Sequence, residues 1–311
     1  MLLGMKVTKA LACLVVAAAV VAACDLQKTG NQLAARKVMV STLLATPPIE
    51  VKAAAIAGLD ASLPDASFLL DAGFTFDAGV LLADGGLGYT VPAQTAALVF
   101  FGTRVGDGLD AAPEGHAGAT ITVQPAGGAA VTLKDLGGGS YQANSSEDAK
   151  LKYEEDKSYT FTAVADGVTY VAELDKSPEM ERINAFHPPA GYIDIAKNTP
   201  ITFTRPDPPT GQTRNLGFVM VFPISRNGQQ GQTTYTNVPM NPLGFLKLVV
   251  LPDEWKGTVV TIPGSAFPDA DKNYMVLFQT AKLGGPKSDN LFSGSAIIAG
   301  TADVGVVKTK P

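Results

Sequence analysis

The sequence has few of the residues from which disulfides, metal sites and nucleophilic sites are built. It contains two cysteines and two histidines in 311 residues. Cys13 and Cys24 both lie near the amino end, so no disulfide framework can hold the rest of the chain together. A structural zinc site, which takes about four Cys or His ligands, is disfavoured for the same reason. The folded part must therefore be stabilised by burial of apolar surface.

Basic residues are also in deficit, with 24 Lys and Arg against 29 Asp and Glu, a net charge of −5. Nucleic-acid binding normally needs a basic stripe, so no nucleic-acid partner is expected. Nor does a polybasic segment follow Cys24 to reinforce contact with anionic lipid. Long helical patterns are missing, whereas 32 Gly and 21 Pro make turns frequent.

The amino end has the order of a secretory signal. Lys6 and Lys9 precede an uncharged apolar run from Ala10 to Ala23. Such a basic segment followed by a compact apolar segment is typical of export signals. As a helix the run would cover roughly 21 Å. The hydrocarbon core of a bilayer is about 30 Å thick, so a permanent span is disfavoured.

The apolar run ends in Val21-Ala22-Ala23-Cys24, which resembles the lipobox of bacterial lipoproteins. The resemblance implies cleavage between Ala23 and Cys24 and lipidation of Cys24, so that residues 1–23 are the signal peptide. Two or three acyl chains would hold the protein on a membrane stably. The alternative is an ordinary cleaved signal in which Cys24 is incidental. Asp25 resembles an inner-membrane retention signal in some bacteria, a rule that varies between groups, so inner and outer membrane both stay open.

Residues 24–95 are predicted to be the lipid anchor followed by an Ala-, Asp- and Gly-rich spacer. A strand is predicted over Lys37–Leu44, ended by Pro47 and Pro48. The composition after residue 57 is low in complexity and poor in β-branched residues, which is typical of a flexible spacer.

Short β-type runs separated by turn residues begin at residue 96, and this spacing favours sandwiches over a βαβ fold. We expect an all-β protein with two Ig-like β-sandwich domains, at 96–178 and 179–311, with the boundary within 175–191. The first series of predicted strands is 96–103, 119–123, 130–133, 139–142, 159–164 and 168–174. The second series is 192–195, 200–204, 216–222, 245–251, 257–262, 274–280, 293–300 and 304–307.

Two stretches carry family resemblances. The run Gly118–Val123 with Val131–Leu133 and Gly138–Tyr141 resembles transthyretin-like and carboxypeptidase-regulatory-like modules. Trp255 and the stretch from Val260 to Phe278 resemble the later strands of fibronectin III-like domains. Both resemblances imply sandwich modules that act as scaffolds or binding domains.

Candidate catalytic and metal sites are weak. Asp269-Ala-Asp271-Lys-Asn273 has calcium-loop spacing but lacks the glycine and glutamate that an EF-hand requires, so an inter-strand turn is favoured. The aspartates at 60, 65, 71, 77 and 84 fit solubilising acids of a linker. Gly137–Gly139 lacks the Lys and Ser/Thr of a phosphate loop and fits a hairpin turn.

Nucleophile and ligand motifs are equally sparse. His116 and His187 do not have paired-ligand spacing, and no G-x-S-x-G elbow surrounds a serine such as Ser140, Ser265 or Ser293. A dispersed Ser-His-Asp triad stays open. Four aromatic residues could form a sugar-binding platform, although core packing accounts for most such residues: Tyr192, Tyr235, Trp255 and Tyr274.

We therefore expect a lipid-anchored cell-envelope protein that is not an enzyme, has no cofactor or metal and has a structural or binding role. Its expected partners are the membrane, through lipid on Cys24, and envelope polysaccharide, peptidoglycan or envelope proteins. The alternatives are a secreted hydrolase with a dispersed site, and a carbohydrate- or calcium-dependent adhesion module.

Overall fold

The computed structural model describes residues 28, 30–52, 80–81, 87–91, 93–106, 113–224, 232–238, 248 and 251–311, and for 49–52, 80–81 and 87–91 the backbone alone. Strands and turns make up almost all of this part, which confirms the predicted all-β class. Residues 30–34 are helical, and 3-10 turns occur at Asn184–Phe186, Pro252–Trp255 and Gly264–Ala266.

The strands are, in chain order, β1 (Lys37–Thr46), β2 (Ile49–Lys52), β3 (Val80–Leu81), β4 (Leu87–Val91), β5 (Gln94–Thr103), β6 (Glu114–Gly115), β7 (Thr120–Pro125), β8 (Val131–Thr132), β9 (Lys134–Gly137), β10 (Ser140–Asn144), β11 (Tyr159–Ala165), β12 (Val168–Leu174), β13 (Ile193–Ala196), β14 (Ile201–Thr204), β15 (Leu216–Ile224), β16 (Tyr235–Thr236), β17 (Val259–Ile262), β18 (Asn273–Pro286) and β19 (Ala296–Lys310).

Fourteen strands form one hydrogen-bonded sheet, whose main path is β8-β7-β11-β12-β18-β19-β1-β5-β10-β9. At its centre, β18 and β19 are antiparallel over twelve residue pairs, from Asn273 with Lys308 to Gly284 with Ile297. β1 lies between β19, to which it is parallel, and β5, to which it is antiparallel. The long β18–β19 pair is thus the spine of the molecule.

The two ends of this path share one core. Side chains of β7, β11 and β12 pack in the same apolar cluster as side chains of β1, β5 and β10. Phe101 of β5 and Phe161 of β11 are both fully buried there. A sheet whose ends share a core is folded over on itself, so this part is a β-sandwich. We call it the first unit; it includes Ile297 and Ala299 of β19.

A second cluster lies farther along the same spine. The separate β14–β17 pair contributes Phe203 and Ile262, and these pack with Val221 of β15, Phe278 of β18 and Val307 of β19. We call β13 to β17 and the adjoining parts of β18 and β19 the second unit. Again two layers enclose an apolar core, which is the arrangement of a sandwich.

A row of small residues lies on the spine between the two cores. In register across β1, β19, β18 and β15 stand Ala45, Thr301, Thr280 and Gly217. Paired residues of neighbouring strands point to the same face of a sheet. We call this row the waist. The small side chains of the waist leave room on that face for residues 175–187, which are part of the connection between β12 and β13. We call residues 175–187 the linker.

Strand β1 belongs to the folded body. The strand predicted over Lys37–Leu44 is confirmed and extends to Thr46. It is paired on both sides, and its Met39 and Leu43 are fully buried. The Ala-, Asp- and Gly-rich residues follow β1 and precede β5 in the sequence. The strands of the small β2-β4-β3 sheet lie in the same part of the sequence. In the chain they therefore connect two strands of the body rather than Cys24 to the body.

The carboxyl-terminal strand differs from expectation. The sequence predicts two strands, 293–300 and 304–307, whereas β19 is continuous from Ala296 to Lys310. Gly300 was interpreted as a strand end, but a Cβ there would lie 2.2 Å from the Thr280 carbonyl oxygen. The glycine allows a close approach between strands and makes no turn. Of the strand predicted over 245–251, only Leu248 and Leu251 lie within the described residues.

Candidate functional site

The sites of the predicted processing, Ala23 and Cys24, lie outside the described residues, as do the aspartates from 60 to 84. Within the described residues, no helix is long and apolar enough to cross a membrane. The polar clusters that the structure does describe are at the waist, in the second unit and at the end of the first unit where β1 begins.

The linker 175–187 is fixed to the first unit at its start. The Ser177 hydroxyl donates to the Glu154 carbonyl oxygen at 2.6 Å. The Tyr153 hydroxyl donates to the Pro178 carbonyl oxygen, also at 2.6 Å. Burial raises the pKa of the Tyr153 phenol far above its usual value, so the hydroxyl keeps the proton that it donates. The linker thus leaves the first unit along a defined path.

Arg205 fixes the linker to the second unit. Its side chain is fully buried, and its Nε and one terminal nitrogen donate to the two carboxylate oxygens of Glu181, each at 2.8 Å. The remaining donors bond to carbonyl oxygens of Asn215, Trp255 and Gly257 at 2.8–3.3 Å. All five N–H donors of the guanidinium are therefore used. A buried charge is tolerated only when it is paired and hydrogen-bonded in this way.

Asp303 is a second buried charge on the same face of the spine. It is 4 % exposed. Its carboxylate accepts the N–H of Ile183 at 2.6 Å and that of Val304 at 2.9 Å. The Nε2 of His187 lies 2.9 and 3.0 Å from its two oxygens. The Asp303 carboxylate thus holds the linker against β19.

Some polar groups near the waist are left without partners. The hydroxyls of Thr280 and Thr301 are buried and have no hydrogen-bond partner within the described residues. Farther along the same face of β18, burial lowers the pKa of Lys282, and the nearby Lys176 lowers it further. Asp156, which is bonded to Lys176 at 2.8 Å, opposes that effect.

At the end of the first unit where β1 begins, Lys37 contacts His116 and His116 faces Asp166, although the three residues are far apart in the sequence. The Lys37 ammonium donates to His116 Nδ1 at 3.0 Å and to Thr103 Oγ1 at 3.1 Å. Because an ammonium group only donates, Nδ1 is the acceptor and the ring proton lies on Nε2. Nε2 faces the Asp166 carboxylate at 3.7 Å. The ring also packs edge-on against Phe101.

Tyr141 holds the loop that carries His116. Its hydroxyl donates to the His116 carbonyl oxygen at 2.6 Å and accepts the Ala119 N–H at 3.0 Å. Burial raises the pKa of the Tyr141 phenol. The imidazole is therefore placed by backbone hydrogen bonds as well as by its own contacts.

The structure brings neither histidine to a nucleophile. Within the described part of the chain, no Ser, Thr or Cys side chain is hydrogen-bonded to the imidazole of His116 or His187. Ser140 opens β10 and Ser265 lies in a 3-10 turn, both exposed. Two histidine–carboxylate pairs are thus present without the hydroxyl that a triad needs.

The calcium-like loop is a turn before β18. The Asp269 N–H bonds to the Tyr274 hydroxyl at 3.1 Å, and the Thr309 hydroxyl donates to the Asp269 carbonyl oxygen at 2.7 Å. Asp271 has a left-handed φ of 56°. No group of three or more His, Cys, Asp or Glu residues that could hold a metal ion occurs among the residues described.

The four aromatic residues do not form one exposed surface. Tyr274 is fully buried in the second cluster. Trp255 packs against a third apolar cluster, which includes Phe218 and Leu248. Its indole N–H donates to the Asn237 carbonyl oxygen at 3.0 Å. Tyr192 lies under the Lys308 ammonium, 5.5 Å from ring centre to nitrogen.

Two buried charges, Arg205 and Asp303, are not predicted from the sequence. The sequence does contain a sign that Asp303 is buried, because it is the one charged residue in the apolar run from Ala296 to Val307. Comparison with known proteins adds no precedent, because no protein family and no curated protein matches the chain.

Proposed function

We propose that this protein is exported and anchored by lipid on Cys24 in a bacterial cell envelope, where its two units have a structural or binding role. The observation that carries the proposal is the order Lys6 and Lys9, apolar run, then Val21-Ala22-Ala23-Cys24. In this order Cys24 stands where the lipid-accepting thiol of a lipoprotein stands.

The rest of the chain supports this assignment. After the signal is removed, Cys24 has no second thiol in the chain with which to pair. The described body is stabilised instead by burial in apolar clusters and by the buried Arg205–Glu181 and Asp303–His187 contacts, an arrangement that does not depend on disulfides. We further propose that the two sandwiches are Ig-like. Sandwiches of this kind serve as scaffolds or binding modules, which suits a role toward polysaccharide, peptidoglycan or another envelope protein.

A non-enzymatic role is part of the same proposal. His116 Nδ1 is occupied by Lys37 and His187 Nε2 by Asp303. Within the described residues the two rings are held by charged partners of the folded body, and we propose that their role is to fix the structure. A screen of the purified protein with esterase, peptidase and glycosidase substrates tests this; turnover that disappears in His116→Ala or His187→Ala would contradict it.

The anchor is tested by comparing Cys24→Ala with Cys13→Ala, a matched change within the signal. Cells expressing each variant are labelled with a radioactive fatty acid and fractionated. Cys13→Ala is expected to stay labelled and membrane-bound, whereas Cys24→Ala loses the label and enters the soluble fraction. A Cys24→Ala protein that still carries lipid would refute the proposal.

The partner class is tested by cross-linking in intact envelopes. Wild-type protein is expected to give discrete cross-linked products with envelope polymer or protein. These products should be lost when the anchor is removed by Cys24→Ala, because release from the membrane lowers the local concentration.

A further inference from the structure

The tether between Cys24 and the folded body is short. Within the described residues, Lys28 and residues 30–34 are helical. A fully extended chain from Cys24 to Gly30 spans at most about 21 Å. Gly30 must therefore stay within about 21 Å of the lipidated residue, and the surface next to it stays close to the membrane.

The helical residues 30–34 are fixed to one end of the first unit. Gln32, which is buried, donates its side-chain amide to the carbonyl oxygens of Pro286 and Ser288 at 3.3 and 3.2 Å. The backbone carbonyl oxygen of Gln32 accepts the Ser293 N–H at 3.0 Å. The attachment point is thus part of the rigid body, at the end where β1 starts and β18 stops.

The second unit lies at the opposite end of the spine. β19 starts beside β1 and runs 15 residues to Lys310, which pairs with Ala196 of β13. At about 3.3 Å per residue the strand is roughly 50 Å long. Ala196 is therefore tens of ångströms farther from the tether than residues 30–37 are.

The end next to the tether exposes a mixed apolar and cationic surface. Leu33 is 59 % exposed and Val105 is 41 % exposed. The Arg104 N–H donates to the Arg36 carbonyl oxygen at 2.8 Å, which fixes the two backbones side by side. The Arg36 side chain is exposed, whereas the half-buried Arg104 guanidinium lies 3.9 Å from the centre of the Phe292 ring and donates to the Leu33 carbonyl oxygen. We call Leu33, Arg36, Arg104 and Val105 the anchor-side surface. Exposed apolar side chains next to the exposed Arg36 guanidinium suit the interface of a membrane with anionic headgroups.

We propose that the anchor-side surface lies against the headgroups of the membrane that holds Cys24, so that the second unit projects away from it. This inference rests on the proposed lipid anchor and adds an orientation to it. The short tether limits the distance, the fixed helix sets the direction, and the exposed apolar and basic side chains supply the contact.

The test uses one fluorescent label on a single introduced cysteine. In the lipidated protein the Cys24 sulfur is blocked as a thioether, so Ala34→Cys and Ala196→Cys each carry a unique thiol. Both positions are exposed, and both changes are Ala to Cys. Mass spectrometry first verifies the lipid; its absence would refute the anchor and not the orientation. Each labelled protein is then reconstituted in vesicles of phosphatidylethanolamine and phosphatidylglycerol that contain a headgroup-nitroxide lipid.

The expected result is quenching at Ala34→Cys that is several-fold stronger than at Ala196→Cys. Adding Leu33→Ser and Arg36→Glu to the Ala34→Cys protein should reduce the quenching, while the lipid mass and the circular dichroism stay unchanged. Equal quenching at the two poles of a lipidated protein overturns the orientation. Quenching that is insensitive to Leu33→Ser and Arg36→Glu overturns the contact.

Discussion

Glu181 binds Arg205 of the second unit through two hydrogen bonds of 2.8 Å, although its neighbour Met180 is bound to the first unit. The Met180 N–H donates to the Glu155 carboxylate at 2.9 Å. The linker therefore changes partners between consecutive residues. These bonds fix the linker against both units, in addition to the continuous β18–β19 pair that the two units share.

Breaking the Arg205–Glu181 pair should be strongly destabilising. In Glu181→Ala the buried guanidinium keeps its charge without a counter-ion, which typically costs about 3–5 kcal/mol. Replacing both residues by apolar ones, as in Arg205→Met with Glu181→Leu, should cost less than the single change. Urea unfolding measures both. Asp253→Ala is the control, because its 93 % exposed carboxylate pairs with Lys256 at the surface and is worth about 1 kcal/mol or less.

Asp303 should matter more than the histidine that it contacts. Asp303→Ala leaves the Ile183 N–H without its acceptor and should cost about 2–3 kcal/mol. His187→Ala removes a ring that is 31 % exposed and leaves the carboxylate bonded to two N–H groups. Its effect on the free energy of unfolding should be clearly smaller. Hydrogen exchange at the Ile183 amide should accelerate in Asp303→Ala alone; equal acceleration in both variants would contradict this account.

Two glycines of the spine offer a matched pair of alanine substitutions. A Cβ on Gly305 would lie 2.8 Å from the Phe186 ring, whereas a Cβ on Gly285 would meet nothing within 4 Å. Gly305→Ala should therefore cost about 1–3 kcal/mol through overpacking. Gly285→Ala should change stability by less than about 0.5 kcal/mol. Thermal unfolding compares them. The cost of Gly305→Ala should be smaller in a Phe186→Ala background, which lacks the Cγ and Cδ1 atoms that the new methyl group would meet at 2.8 and 3.2 Å.

Stability should fall at alkaline pH. Burial raises the pKa of the Tyr159 phenol from 10.0 to about 12, although the hydrogen bond from Glu154 opposes the rise. The folded state thus holds a proton that the unfolded state has lost. This stabilisation is complete below about pH 10 and is lost as pH rises toward about 12, by up to about 1.4 kcal/mol per pH unit. The part of the phenolate absorbance that Tyr159→Phe removes should rise together with the loss of circular dichroism. Ionisation of Tyr159 near pH 10 in an intact fold would contradict this.

Strands could be predicted from the sequence where their structure depends on residues that are close together in the chain. In β11 the apolar residues alternate with polar ones, and Tyr159, Phe161 and Ala163 are indeed buried on one face. The all-β class follows from such patterns. The strand end predicted at Gly300 is wrong because a glycine that allows two strands to approach closely cannot be told from a turn glycine by sequence alone. Only its neighbour Thr280, whose carbonyl oxygen lies 2.2 Å from where a Cβ would be, distinguishes them.

The polar clusters could not be predicted, because their members are far apart in the chain. Lys37, His116 and Asp166 meet only after β1, β5 and β12 have been placed in one sandwich. Likewise, the partners of Arg205 depend on how the linker crosses the waist. Local patterns carry no information on such pairings.

The parallel pairing of β1 with β19 has a consequence for how the protein is made. The Met39 N–H donates to the Ser295 hydroxyl across 256 residues of sequence. Closing a loop of that length costs about 5 kcal/mol of chain entropy before any contact compensates for it. During synthesis β1 emerges first and β19 last. The first unit therefore cannot be completed until the last strand arrives, and a prematurely ended chain would offer an open strand edge to proteases.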